Sequence, residues 1–191
     1  MKEQFKELIA ASIAVKTALL SNEELLDTLE KVVDVIVTAY QAEKRLFFCG
    51  NGGSAADAQH LAAEFTGRFY KDRLSLPAEA LHCNTSYLTA VGNDYSFDDI
   101  YARMIKGTAR IGDVLIGFST SGNSTNIVKA FEAAKEKGVV TIGFTGSSGG
   151  AMKKITDYLL KVPSADTPRI QECHILLGHL MCQFVEERFF G

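Results

Sequence analysis

The chain has 191 residues, 47% of them hydrophobic, and a formal net charge of -3, which suits one domain with a substantial buried core. A pI near 5.8 lacks the basic excess with which a general nucleic-acid-binding surface displaces counterions, so no nucleic-acid partner is expected. No segment is apolar over the length of a membrane span, so no membrane association is expected either.

In chain order, MKEQFKELIAASIAVKTALL carries Glu3 and Glu7 among its apolar residues, the pattern of an amphipathic helix rather than of a signal peptide. Helices are predicted over about residues 3–20 and 22–42, the second capped by Ser21 or Asn22 with Glu23 and Glu24 in its first turn. Residues 45–49 form a short apolar strand that runs into GNGGS, and residues 55–65 follow as a helix. A weaker strand is predicted at 78–81 behind Pro77, then two short helices at 85–91 and 97–107. Residues 113–118 and 139–144 read as the clearest strands, 123–137 as an amphipathic helix between them, 157–162 as a further strand, and 167–190 as a long final helix. This alternation predicts an α/β fold, a doubly wound, mainly parallel sheet sandwiched by helices, in one domain spanning 1–191: a helical segment, 1–42, ahead of an α/β core, 43–191. Cys49, Cys83, Cys173 and Cys182 lie in apolar segments without CxxC spacing, which reads as reduced core thiols and a cytoplasmic location.

Two loops fall at the carboxyl ends of predicted strands, where ligands of such sheets gather. Ser119, Thr120, Ser121, Gly122, Asn123 and Ser124 place four hydroxyls and free backbone N–H groups at a helix start, an arrangement that favours a phosphate. A polar capping turn needs only one such residue. In the other loop, Gly50, Gly52 and Gly53 allow close backbone approach, and Asn51 and Ser54 can bond to ligand hydroxyls or phosphate. It lacks GxGxxG spacing and a following acidic ribose ligand, and the chain has no GxxxxGK[ST] element, so no nucleotide cofactor is expected.

His60 and Glu64 are four positions apart on one helix, about 40° round its axis, and can meet one substrate or metal. Gln171 and His179, eight apart on the final helix, are separated by about 80° and can share a broad face. Spacing alone leaves an ordinary helix pair open at both places. His174 and His82 read as structural hydrogen-bonding residues.

CGNGGSAADAQHLAAEFTGRF, LTAVGNDYSFDDIYAR, GDVLIGFSTSGNSTNIVKAFEAAKEKG and VPSADTPRIQECH, in that order over nearly the whole chain, resemble the bacterial phosphoheptose isomerases of the sugar-isomerase (SIS) superfamily. The resemblance implies a homotetramer with active sites at subunit interfaces and conversion of sedoheptulose 7-phosphate to D-glycero-D-manno-heptose 7-phosphate. That product feeds ADP-heptose synthesis for lipopolysaccharide core or other surface glycans. It also implies that Ser119, Thr120, Ser121 and Ser124 hold the phosphate, that Asn51, Gly52 and Gly53 line the sugar site, and that Asn93 and Asp94 complete the hydroxyl contacts. His60, Glu64, Gln171 and His179 match zinc ligands, with Glu64 and His179 matching the acid/base pair and Gln171 also reaching substrate. Arg68 is a further candidate for the phosphate or for supporting Glu64.

The implied chemistry asks for such a set. A proton moves between C1 and C2 through a cis-enediol, for which Glu64 is the candidate base, while His179 manages protons on O1 and O2. Two rival readings share the fold: a non-catalytic regulator that binds the replication initiator, whose catalytic carboxylate and histidine are replaced, and an isomerase of another sugar phosphate. Retention of Glu64 and His179 favours the enzyme.

Overall fold

The structure is a computed structural model that describes residues 1–191. Its elements run α1 (Lys2–Leu20), α2 (Glu23–Gln41), β1 (Leu46–Gly50), α3 (Gly53–Thr66), β2 (Ala78–Ala80), α4 (Thr85–Asp94), α5 (Ile100–Thr108), β3 (Val114–Phe118), α6 (Thr125–Glu136), β4 (Val140–Thr145), β5 (Tyr158–Lys161) and α7 (Thr167–Phe190), with single 3-10 turns at Phe97–Asp99 and Ala151–Lys154. No helix is long and apolar enough to cross a membrane.

The five strands form one parallel sheet in the order β2-β1-β3-β4-β5. Alternate strand residues face opposite layers. Leu46 and Phe48 join a core with α2, α3 and α7, whereas Phe47 and Cys49 join one with α4, α5 and α6. Chain direction across the sheet reverses between β1 and β3, which pair in register from Leu46↔Val114 to Gly50↔Phe118. Their carboxyl ends therefore open side by side at the switch point of the doubly wound sheet.

The departures from the sequence reading have local causes. The predicted helix at 97–107 splits because the Ser96 hydroxyl accepts the Asp98 N–H at 3.1 Å and caps a separate 3-10 turn. Asp113 stops short of β3; its buried carboxylate accepts the N–H groups of Arg45 at 3.1 Å and Arg110 at 2.7 Å, stapling the strand's entrance. Helix α6 begins at Thr125 rather than 123, because Ser124 has the extended backbone of a capping residue. Asn22 caps α2 as expected, accepting from the Leu25 N–H at 3.1 Å.

Helix α2 buries one full face, from Leu25 to Tyr40, whereas α1 buries only Leu19. The apolar side chains of Phe5, Leu8, Ile9 and Ile13 are all exposed. The polar face of α1 holds it to α7: Ser12 donates to Glu172 at 2.5 Å, and Arg169 donates to the Leu8 carbonyl at 2.8 Å.

All four cysteines are free, and Cys49, Cys173 and Cys182 are buried as expected, but Cys83 is exposed just beyond β2, where the chain turns out of the sheet. His174 is buried against the paired rings of Phe118 and Phe144, and its Nε2 lies 3.2 Å from the Thr145 carbonyl. His82 corrects the sequence reading: its Nδ1 is enclosed without a hydrogen-bond partner.

Candidate active site

The loop after β3 is the more tightly built of the two. Ser119 and Ser124 approach each other at 2.9 Å between hydroxyl oxygens, so Ser124 occupies the capping position of α6 without making a side-chain cap bond. The N–H groups of Thr120, Ser121, Thr125 and Asn126 donate to no acceptor within the chain. These free donors and clustered hydroxyls lie at a helix N-terminus, an arrangement that suits an anion.

The segment after β4, from Gly146 into the 3-10 turn at Ala151–Lys154, braces this loop. Gly146 N–H donates to the Thr120 carbonyl at 2.9 Å, Met152 N–H to the Gly122 carbonyl at 3.0 Å, and Ala151 N–H to the Asn123 side chain at 2.8 Å. Gly122 has a φ of +69°, and a Cβ there would strike the Gly149 carbonyl. Only glycine fits both demands.

A reciprocal amide pair joins the hydroxyl-rich loop to the GNGGS loop. Asn51 Nδ2 donates to Asn126 Oδ1 at 2.9 Å, and Asn126 Nδ2 donates to Asn51 Oδ1 at 2.8 Å. Asn126 is 2% exposed. The sequence reading missed it because, inside a predicted helix, it carries no motif. Gly52 and Gly53 open α3 beside it, and Tyr101 donates its hydroxyl to the Gly50 carbonyl at 2.5 Å, supporting the loop from the opposite layer. Asn93 and Asp94 are exposed at the end of α4, where Asn93 Nδ2 donates to Asp94 Oδ1 at 2.9 Å.

The titratable groups gather elsewhere, between α3 and α7. His60 Nε2 lies 3.0 Å from His179 Nε2 and 3.3 Å from Glu64 Oε1. Burial lowers the pKa of His179, the nearby His60 lowers it further, and Glu64 partly opposes them. Asp57, one turn before His60, was not singled out from the sequence. Burial pushes its carboxyl up to about 6 against the opposing effect of His60, and its Oδ2 has no partner.

Donors around a zinc ion with bonds of about 2.0–2.1 Å stand roughly 3.3 Å apart in a tetrahedron. The His60–His179 and His60–Glu64 separations come close to that spacing. One chain nevertheless does not gather three or more such donors into a closed cage. Gln171 in particular turns away, donating from Nε2 to the Ser54 hydroxyl at 3.5 Å. It lies eight residues from His179 on α7, about 12 Å of helical rise. Arg68 is exposed and forms no hydrogen bond or ion pair with Glu64. Position 73 holds the arginine that touches this end of α3, where its Nη2 donates to the Glu64 carbonyl at 2.9 Å.

The site thus falls into two halves. Glu64 is eleven residues beyond Gly53 on α3, about 16 Å along the axis. The hydroxyl-rich loop, the GNGGS loop and Gln171 occupy one end of the α3–α7 pair; His60, Glu64 and His179 occupy the other.

Comparison with known proteins identifies the family. The SIS domain matches residues 10–146. A phosphoheptose isomerase of Aneurinibacillus thermoaerophilus is 50% identical over 190 residues, covering 100% of this chain and 96% of that protein. One from Clostridium acetobutylicum is 49% identical over 191 residues, covering 100% and 97%. The solved phosphoheptose isomerase of Neisseria gonorrhoeae superposes with a TM-score of 0.91 at 41% identity, covering 97% of this chain and 98% of its own. That of Francisella tularensis gives 0.92 at 31% identity, covering 97% of each chain. With its hydroxyl-rich loop at the sheet's switch point and its His–Glu–His group on α3 and α7, this chain belongs to the phosphoheptose isomerase family of SIS-domain proteins.

Proposed function

We propose that this protein interconverts sedoheptulose 7-phosphate and D-glycero-D-manno-heptose 7-phosphate, in the cytoplasm, as the step that supplies ADP-heptose synthesis for surface glycans. The observation that carries the reading is the pairing of a hydroxyl-rich phosphate cradle with a carboxylate and a histidine of opposite tasks. Ser119, Thr120, Ser121 and Ser124 hold the phosphate. Asn51, Gly52, Gly53, Asn93, Asp94 and Gln171 line the sugar chain. Glu64 takes the proton from C1 of the ketose as O2 is protonated, which leaves the cis-enediol. Return of the proton to C2, with loss of the O1 proton, forms the aldehyde. His179 serves O1 and O2, and its lowered pKa keeps it neutral near pH 7, able to donate from one ring nitrogen and accept at the other.

The two halves stand farther apart in one chain than the carbon chain from C1 to C7 reaches, which supports a site completed by a second copy in a homotetramer. The exposed apolar residues of α1 supply a surface for such assembly. In that arrangement His60, Glu64 and His179 would hold zinc. Bound there, zinc would polarise the carbonyl as a Lewis acid.

The test is an NMR assay of the purified protein with sedoheptulose 7-phosphate beside Glu64→Gln and His179→Gln. Aldoheptose phosphate from the native chain is expected, with kcat about a hundredfold or more lower in each variant. Folded native protein that binds the sugar phosphate without turnover, with and without zinc, would overturn the assignment.

A further inference from the structure

Glu64 lies in the last turn of α3, where helix carbonyls lack intrahelical partners and the end tends to fray. Here one buried side chain reaches two of those carbonyls, of Glu64 and Phe65, and the Leu76 N–H also donates to the second, at 3.1 Å. Arg73 Nη2 donates to the Glu64 carbonyl at 2.9 Å, and Nη1 donates to the Phe65 carbonyl at 2.9 Å and the Leu74 carbonyl at 3.0 Å. A cation at a helix C-terminus also complements the helix dipole.

The other edge of the guanidinium reaches α7. Arg73 Nε donates to Glu186 Oε2 at 2.7 Å, and the two side chains are only 3% and 2% exposed. The Glu186 carboxylate also accepts three consecutive backbone donors, the N–H groups of Phe69 at 3.1 Å, Tyr70 at 2.8 Å and Lys71 at 2.5 Å. It is thereby saturated, and the segment leaving α3 is wrapped around it. Glu186 lies seven residues beyond His179, two turns along nearly the same face of α7. Above the clamp the helices touch closely: a Cβ at Gly178 would fall 2.6 Å from a Leu61 methyl.

We propose that Arg73 and Glu186 are positioning residues for the isomerisation. Their ion pair locks the turn of α3 that bears Glu64 against the face of α7 that bears His179, setting the separation of the two proton-carrying groups. The inference rests on the isomerase reading above, and neither residue touches the sugar. Apolar packing alone would hold the helices together but tolerates sliding; a directional set of hydrogen bonds to the Glu64 turn does not, and proton transfer needs placement within about 0.5 Å.

Three variants of the full-length protein test it: Arg73→Lys, Arg73→Met, and Arg73→Met combined with Glu186→Gln. Lysine keeps the charge, but a point donor cannot serve Glu186, the Glu64 carbonyl and the Phe65 carbonyl together. Turnover is expected to fall about tenfold to a hundredfold in Arg73→Lys with KM for sedoheptulose 7-phosphate little changed. Arg73→Met strands the buried carboxylate, and the double variant removes that unpaired charge. The double variant is therefore expected to regain urea resistance over Arg73→Met while its kcat per folded molecule stays equally low. Native turnover in Arg73→Lys, or turnover that recovers with stability in the double variant, would overturn the positioning role. Absence of turnover in the native protein would instead remove the isomerase reading. The clamp would then stand or fall on a crystal structure of Arg73→Lys: a displaced last turn of α3 supports it, and an unmoved one refutes it.

Discussion

The Nε2 atoms of His60 and His179 lie 3.0 Å apart across the α3–α7 contact, although the residues are 119 positions apart in the chain. Two imidazole nitrogens at that distance need something positive between them, either a proton on one ring or a metal ion. Glu64 Oε1 approaches the same His60 nitrogen, at 3.3 Å. Purified native protein is expected to carry about one zinc per chain by elemental analysis, in line with a single set of His and Glu donors. His60→Ala, at an exposed position, is expected to keep its helical circular dichroism and lose the metal. Full zinc content in that variant would exclude His60 as a ligand.

The Asn51–Asn126 amide pair couples the GNGGS loop to the hydroxyl-rich loop before α6. Removing one partner strands the other. Asn126→Ala is expected to lower unfolding stability by about 1–3 kcal/mol in urea melts and to raise KM for the sugar phosphate, because Asn51 loses its orientation. Unchanged KM would show that the pair braces the fold without presenting Asn51.

Acid sensitivity follows from His174. Burial depresses its pKa from 6.5 to about 4, with the hydrogen bond to Thr145 opposing the shift. Between these values the unfolded chain binds the proton and the folded chain does not, so stability is complete above pH 6.5 and declines as pH falls towards 4. The full difference, reached below pH 4, is worth about 3 kcal/mol, of which about 2 kcal/mol is lost by pH 5. His179 and His82, also lowered by burial, act in the same direction. Urea midpoints measured at pH 8 and pH 5 should differ accordingly, and His174→Asn should reduce that difference; an undiminished difference would assign it elsewhere.

Ile9 is 60% exposed on α1. On a monomer, Ile9→Glu would change stability by no more than about 0.5 kcal/mol. On a helix buried against another copy, it places a charge in an apolar contact. Light scattering is expected to show a tetramer for the native chain and smaller species for Ile9→Glu. An unaltered tetramer would remove this part of α1 from the interface.

The elements were legible because each depends on residues close in sequence. Strand β3 announces itself by continuous apolar residues, α2 by its cap and its spacing, and the cradle by hydroxyls crowded before a helix. Boundaries moved by a residue or two where one side chain intervened, as Ser96 and Asp113 did. The three members of the His–Glu–His group were named from their helical angles and the family resemblance. Gln171 shows the limit of that geometry: its angle on α7 allowed it to join His179, but the distance along the axis carries it to the other end of α3. Arg68 was favoured by its neighbouring motif, whereas Arg73 makes the contact with the Glu64 turn because the chain wraps back around Glu186.

The amino-acid sequence by itself determined the order of strands and helices, the hydroxyl-rich loop and the chemistry-bearing residue types, since periodicity, capping and turn preference act over a few neighbouring positions. Only the tertiary structure decided which distant side chains share a hydrogen bond: Asn51 with Asn126, Arg73 with Glu186, and Gln171 with Ser54 rather than with His179. Those pairings depend on how far one packed helix is shifted along another. That shift is set by the summed contacts of whole faces, which no local pattern encodes.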